Sequence, residues 1–310
     1  MTVEIPTQTL GVCRRAFTRM DQPHTNLESA LPVEADKAFP DWLTVSPKQV
    51  ELNHALLSRT SGKANALLEG LLEDEEVYQY HSWANVVSVR RLGYNDHGPV
   101  HARISTYNAL KILHLLAENG RPPSIVEEEV GTLEDAEVAV AMGCFLHDIG
   151  MGVARDMHEW HSIHLADPII TRYLDRLYGP GDPMKVALRA LAHEVIVGHM
   201  AKVRIHSVEA GTVLVADGTD MSKGRSRIPE MLSLDPVVGD MHRFSAHAIK
   251  RVEIKKGDAK PVRISVFMEN MTGLYQVEEV LMTKVKASPI MGEIEVQALV
   301  GDDPPRFYLK

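Results

Sequence analysis

The sequence predicts a mainly α protein: a helical core over about residues 47–230, followed by a small α+β module. Three observations carry this expectation. Apolar residues recur at helical spacing from residue 47 to 220 with no convincing strand among them; from about residue 247 the pattern switches to alternation; and the two regions are separated by a loop rich in Gly, Arg and Pro. At 310 residues, 45% of them hydrophobic, the chain has enough apolar side chain for one large core or two smaller ones.

Residues 1–46, polar and Pro-rich without a sustained period, are expected to form an irregular arm. Ser46-Pro47 places a capping hydroxyl before a proline at the first helical position, which starts a helix over 47–58. A second helix starts after Gly62, carries Leu67, Leu68, Leu71, Leu72 and Val77 at helical spacing, and is expected to break near Tyr80. The next runs from about Pro99 to Glu118 and is stopped by Asn119-Gly120 and Pro122-Pro123. The stretch DAEVAVAMGCFLHDIG is apolar on nearly every side, so the helix over 135–146 is expected to be buried. Helices at about 159–178, 183–200 and 207–219 complete the core. Beyond it, IKRVEIKKGD and PVRISVFMEN alternate, TGLYQVEEVLMTKVKAS is helical and GEIEVQALV alternates again, giving β-β-α-β. The expected division is therefore 1–46, 47–235 and 236–310.

A net charge of −9 opposes a protein that works by neutralising the phosphates of a nucleic-acid polymer. No stretch reaches the ~18 consecutive apolar residues of a membrane span, and MTVEIPTQTL lacks a basic region ahead of an apolar one, so neither membrane insertion nor secretion is expected. Cys13 and Cys144 form no CxxC pair, as in a reduced, cytoplasmic chain. Histidine stands out: of fifteen, ten lie between residues 97 and 206, and such clustering in an acidic, cysteine-poor chain points first to a metal site.

His147-Asp148 ends the buried helix and offers an imidazole nitrogen beside a hard carboxylate, with Gly150 letting the chain turn away. His97 and His101 are four apart in HGPVH, with Gly98-Pro99 setting His97 just before the first helical turn. HEWHSIH carries His158, His161 and His164, and HEVIVGH carries His193 and His199; helical spacing leaves open whether His158 or His161, and His193 or His199, faces a metal. Asp217 ends an apolar helical run, where a buried carboxylate calls for a cation, and Asp220 follows on the same side. Lys223, Arg225 and Arg227 then place three cations within five residues; carboxylate ligands beside such a cluster suit a phosphate ester.

The order His101, His147-Asp148, Asp217, each on a separate helix, resembles the HD-domain superfamily of metal-dependent phosphohydrolases. VADGTDMSKGRSR and the intervening histidines are similar to its multi-metal branch, which includes the HD-GYP and cyclic-nucleotide phosphodiesterases, although no GYP tripeptide is present. The resemblance covers about residues 90–230. It implies an HD-type helical core and hydrolysis of a phosphate ester (a nucleotide, a cyclic nucleotide or another phosphomonoester or diester) by a metal-activated hydroxide. One ion would be held by His101, His147, Asp148 and Asp217, and a second would share Asp148 and be held by His161 and His193. By the same resemblance His97 protonates the leaving group and Arg225 contacts phosphate, beside Lys223 and Arg227. Imidazole and carboxylate ligands without thiolate suit Mn, Fe, Co, Ni or Zn. Two other readings share these residues: a di-iron HD-type oxygenase, and a metal-containing nucleotide-binding regulator. The expected partners are a small phosphorylated substrate and, through the exposed strand edges of the C-terminal module, further copies of the chain.

Overall fold

The computed structural model of the protein describes residues 43, 45–221 and 245–310. The arm over 1–46, apart from its last residues, lies outside that range, as do the junction expected at 235/236 and the basic residues Lys223, Arg225 and Arg227.

The first helix, α1 (Pro47–Leu57), begins as expected: the Ser46 hydroxyl accepts from the Gln49 N–H while the Gln49 side chain accepts from the Ser46 N–H, a reciprocal cap. After α2 (Gly62–Glu73) the chain breaks at Asp74 rather than near Tyr80, because the Asp74 carboxylate accepts the N–H groups of Glu76 and Val77 and so starts α3 (Glu75–Asn85). A π-helical stretch, Val86–Arg91, prolongs α3. There follow α4 (Pro99–Glu118), the short α5 (Ser124–Glu127), α6 (Leu133–Leu146), a 3₁₀ turn (Ile149–Gly152), α7 (His158–Tyr178), α8 (Met184–Gly198) and α9 (Val208–Thr219). No strand interrupts this series among the described residues.

Helix α6 is the axis of the core. From Ala136 to Leu146 only Glu137 escapes burial, and α2, α4 and α8 surround it. Helix α9 is buried along its whole length. Helices apolar on every side find solvent at neither face, so polar groups carried to their ends arrive at core depth.

The C-terminal module has one strand more than its sequence pattern indicates. It comprises β1 (Ile249–Lys255), β2 (Val262–Met268), a π-helical turn (Gln276–Leu281) running into α10 (Met282–Ala287), β3 (Ile294–Val300) and β4 (Arg306–Leu309). The sheet order is β1-β2-β3-β4. β1 and β2 are antiparallel with Val252 opposite Val266, β2 and β3 are parallel with Ile264 beside Val296, and β4 returns antiparallel to β3 with Phe307 beside Gln297. Four residues behind Pro304-Pro305, half of them exposed, are too short to show alternation.

Glu295 ties this sheet to the β1–β2 turn. Its carboxylate accepts the N–H groups of Ala259 (2.7 Å) and Lys260 (3.0 Å) and the Arg263 Nε–H (2.6 Å). Burial alone would raise its pKa, but these donors hold it at about 2, against an ordinary value of 4.5. A carboxylate whose pKa is depressed on folding contributes stability above the unfolded value and loses it as pH falls through the folded one. Glu295→Gln is therefore expected to cost the module roughly 2–3 kcal/mol at neutral pH, with the gap from wild type closing between pH 4.5 and 2 in urea unfolding curves.

Candidate metal centre

The histidines and carboxylates meet at helix ends. Helix α6 finishes at Leu146, and His147 caps it with Nδ1–H donating to the Cys144 carbonyl (2.6 Å), one of the carbonyls a helix leaves without an internal partner. Asp148 follows, and the chain turns at once into Ile149–Gly152. Gly150 permits this: a Cβ there would stand 2.2 Å from the His158 carbonyl and 2.4 Å from the Ser162 nitrogen, and its N–H donates to the Ser162 hydroxyl (2.8 Å). The end of α6 thereby docks on the first turn of α7, which opens with His158 behind Met157 in the left-handed conformation (φ 57°). Helix α8 ends as α6 does, with His199 as its cap and Nδ1–H donating to the Ile196 carbonyl (2.6 Å). His101 comes from the first turn of α4 and Asp217 from the last turn of α9.

Each of the four imidazoles is fixed in one tautomer. Nδ1 faces an oxygen in every case: the carbonyls of Cys144 for His147, Ile196 for His199 and Arg155 for His158 (2.9 Å), and the Asp220 carboxylate for His101 (2.7 Å). Oxygens of this kind only accept, so Nδ1 carries the proton and Nε2 presents a lone pair. Those lone pairs point at one another. His101 Nε2 is 3.2 Å from His147 Nε2, 3.3 Å from Asp148 Oδ2 and 3.1 Å from Asp217 Oδ1. His158 Nε2 is 3.0 Å from His199 Nε2, and these two lie 3.2 and 3.4 Å from Asp148 Oδ1. Asp148 therefore joins two donor groups, one at each oxygen. Among the described residues its Oδ2 is buried without a hydrogen-bond donor. Donors about 2.1 Å from a common cation are ~3.0–3.4 Å from each other, which is the spacing here. The residues could hold a metal ion, and among the described residues His101, His147 and Asp217 form one such group and His147, Asp148 and His199 another.

The electrostatics agree with that demand for a cation. Burial would raise the pKa of Asp148 and Asp217, yet both are held well below the carboxylate range, Asp148 by His147 and His97, Asp217 by Lys284 and His101. Burial would lower the pKa of His147, but Asp148 outweighs it and raises it well above the ordinary value: a proton on Nε2 answers the pull for positive charge that a metal ion would otherwise satisfy. At His199 burial wins over Asp148, and its pKa falls to about 4.

The four residues His101, His147, Asp148 and Asp217 converge. His161 and His193 do not join them: His158 and His199 occupy the second donor group, and His193 Nε2 pairs instead with Asp167 Oδ1 at 3.0 Å, beside Arg189. The physical reason is that the donors meet at helix ends, so residues further inside α7 and α8 are carried onto other faces. A signal was present in the sequence: His199 follows the last apolar turn of α8 just as His147 follows that of α6. His97 lies ahead of α4, its ring centroid 5.9 Å from that of His101 and its Nδ1–H donating to the Asn95 carbonyl (2.6 Å). Lys284, from the C-terminal module, pairs with Asp217 Oδ2, and no sequence pattern marks it. The phosphate contacts expected at Lys223, Arg225 and Arg227 fall outside the described residues.

Fold and site together define a mainly helical protein with a small C-terminal mixed sheet and a buried His/Asp centre able to hold metal. The chain belongs to the same family as the uncharacterized protein MJ1020 of Methanocaldococcus jannaschii, with which it is 39% identical over 251 residues, 81% of this chain and 95% of that protein. No protein-family model matches it, and no solved structure matches it significantly.

Because Gly150 sets the approach of Asp148 to His158, Gly150→Ala is expected to destabilise the protein by about 2–3 kcal/mol and to weaken Co²⁺ uptake, measured by urea unfolding and by equilibrium dialysis.

Proposed function

We propose that the protein is a metal-dependent phosphohydrolase of the HD type, using two divalent transition-metal ions on a small phosphate ester. The observation that supports this best is the division of Asp148 between two donor groups, Oδ2 toward His101, His147 and Asp217, and Oδ1 toward His158 and His199. Ions held there would supply Lewis acidity, acidifying a water and polarising a phosphoryl oxygen. Imidazole and carboxylate donors without thiolate favour Mn, Fe, Co, Ni or Zn.

In this reading the chain's own residues divide the remaining work. His97, tethered through Nδ1–H to Asn95, gives a proton from Nε2 to the leaving oxygen. Asn85 and Asp96 hold the His97 loop, accepting from the N–H groups of His97 (3.4 Å) and Gly98 (2.7 Å). Arg155, whose guanidinium lies 3.4 Å from His158 Nδ1, brings a cation to the edge of the centre that can face phosphoryl oxygens alongside Lys223, Arg225 and Arg227. No helix among the described residues is long and apolar enough to cross a membrane, and Cys144 is a buried free thiol; both fit a reducing, cytoplasmic setting. The exposed edge strand β4 offers a route to pairing between copies.

Metal analysis followed by a screen of phosphate esters with Mn²⁺ or Co²⁺ tests the proposal. Two ions per chain and release of phosphate or cleavage of a phosphodiester are the expected results. Iron-dependent oxygen consumption without phosphoester cleavage would instead favour the oxygenase, and ligand binding without turnover the regulator. Asp148→Asn is expected to lose both ions and His199→Ala one, whereas His193→Ala and His161→Ala keep both. Metal content should also survive His97→Ala, with hydrolysis slowed roughly 10²-fold for a poor leaving group and little for a nitrophenyl ester.

A further inference from the structure

Lys284 carries a side chain of the C-terminal module to the centre, where it touches both donor groups. Its ammonium pairs with Asp217 Oδ2 and donates to the main-chain carbonyl of His199 at 3.0 Å. The approach is built into the packing of α9 against the segment that ends in α10. Gly211 and Gly218 lie two turns apart on α9; a Cβ at Gly218 would stand 3.1 Å from the Lys284 Cδ, and one at Gly211 would stand 2.8 Å from the Ser288 Oγ. The Ser288 hydroxyl donates to the Gly211 carbonyl (3.1 Å), fixing the end of α10 on the helix that carries Asp217.

A buried carboxylate with no second partner can turn about its own axis and offer both oxygens to a cation. Here Oδ2 is taken, and Oδ1 faces His101 and His147 at 3.1 and 3.9 Å. We infer that Lys284 is a positioning residue that makes the C-terminal module part of the metal centre: it grips Asp217 Oδ2 so that Oδ1 alone is presented to the His101–His147 group, while bracing the helix end that carries His199. The inference rests on the metal-binding reading proposed above.

Co²⁺ added to the metal-free full-length protein tests it, because the visible absorption of Co²⁺ reports coordination number independently of turnover. In a His199→Ala background only the His101–His147–Asp217 group is complete, so one Co²⁺ signal is read. Adding Lys284→Met there should shift that band and lower its intensity, as Asp217 swings to bind through both oxygens and raises the coordination number. Lys284→Arg, which keeps a charged donor, should restore much of the original spectrum. Leu281→Ala, a buried truncation in the same segment that leaves the Lys284 ammonium in place, should lower the unfolding midpoint and leave the spectrum unchanged. If Lys284→Met does not fold, Lys284→Gln is read by the same criterion. An unaltered spectrum in the Lys284 variant, or an equal change in Leu281→Ala, overturns the positioning role. A wild-type protein that takes up no Co²⁺ overturns instead the metal-binding reading beneath it.

Discussion

The structure turns on one buried carboxylate. Asp148 presents two oxygens to two groups of imidazole nitrogens, and among the described residues Oδ2 has no hydrogen-bond donor of its own. An isolated buried charge is expensive, and lone pairs brought to within 3.0–3.4 Å of each other repel unless a cation lies among them. The fold accepts this arrangement because every imidazole is locked through its other nitrogen. Rotation of any ring would break an Nδ1–H bond at core depth.

The choice of helix ends as the meeting place solves two problems together. A helix terminus leaves carbonyls without internal partners, and a metal-binding histidine needs an acceptor for its second nitrogen. At His147 and His199 the same bond meets both needs, since Nδ1–H goes to the carbonyl three residues back. The backbone thus sets the ring orientation, and the rigid core helices α6 and α8 set the backbone. Gly150 is the corresponding requirement on the other side of the site, where α6 and α7 come closer than any side chain would permit.

The C-terminal module is not merely appended to the helical core. Its α10 segment lies along α9 where two glycines leave no side chain between them, and this closeness brings Lys284 to Asp217. The Lys284–Asp217 pair thereby ties the module to the helix that carries one of the candidate metal ligands. Glu295 plays the corresponding role inside the module, gathering a turn around a buried charge that has enough donors to remain ionised.

Much of this was legible in the sequence. Helical spacing from residue 47 to 220, alternation beyond residue 246, and a helix apolar on all sides ending in His147-Asp148 determine a helical core, a small sheet and a polar pair delivered at core depth, because burial and period are local properties of the chain. His101 and Asp217 could be picked out for the same reason, at the beginning and end of strongly patterned helices. The tertiary structure alone decided between His158 and His161, and between His199 and His193. Spacing specifies which residues share a face, but these donors meet where helices stop, and the point at which several helix ends coincide depends on contacts such as Gly150 against α7. Lys284 lay beyond the sequence for a sharper version of that reason: it stands 67 residues from Asp217 on a separate module, and only the close packing of α10 on α9 puts its ammonium and that carboxylate together.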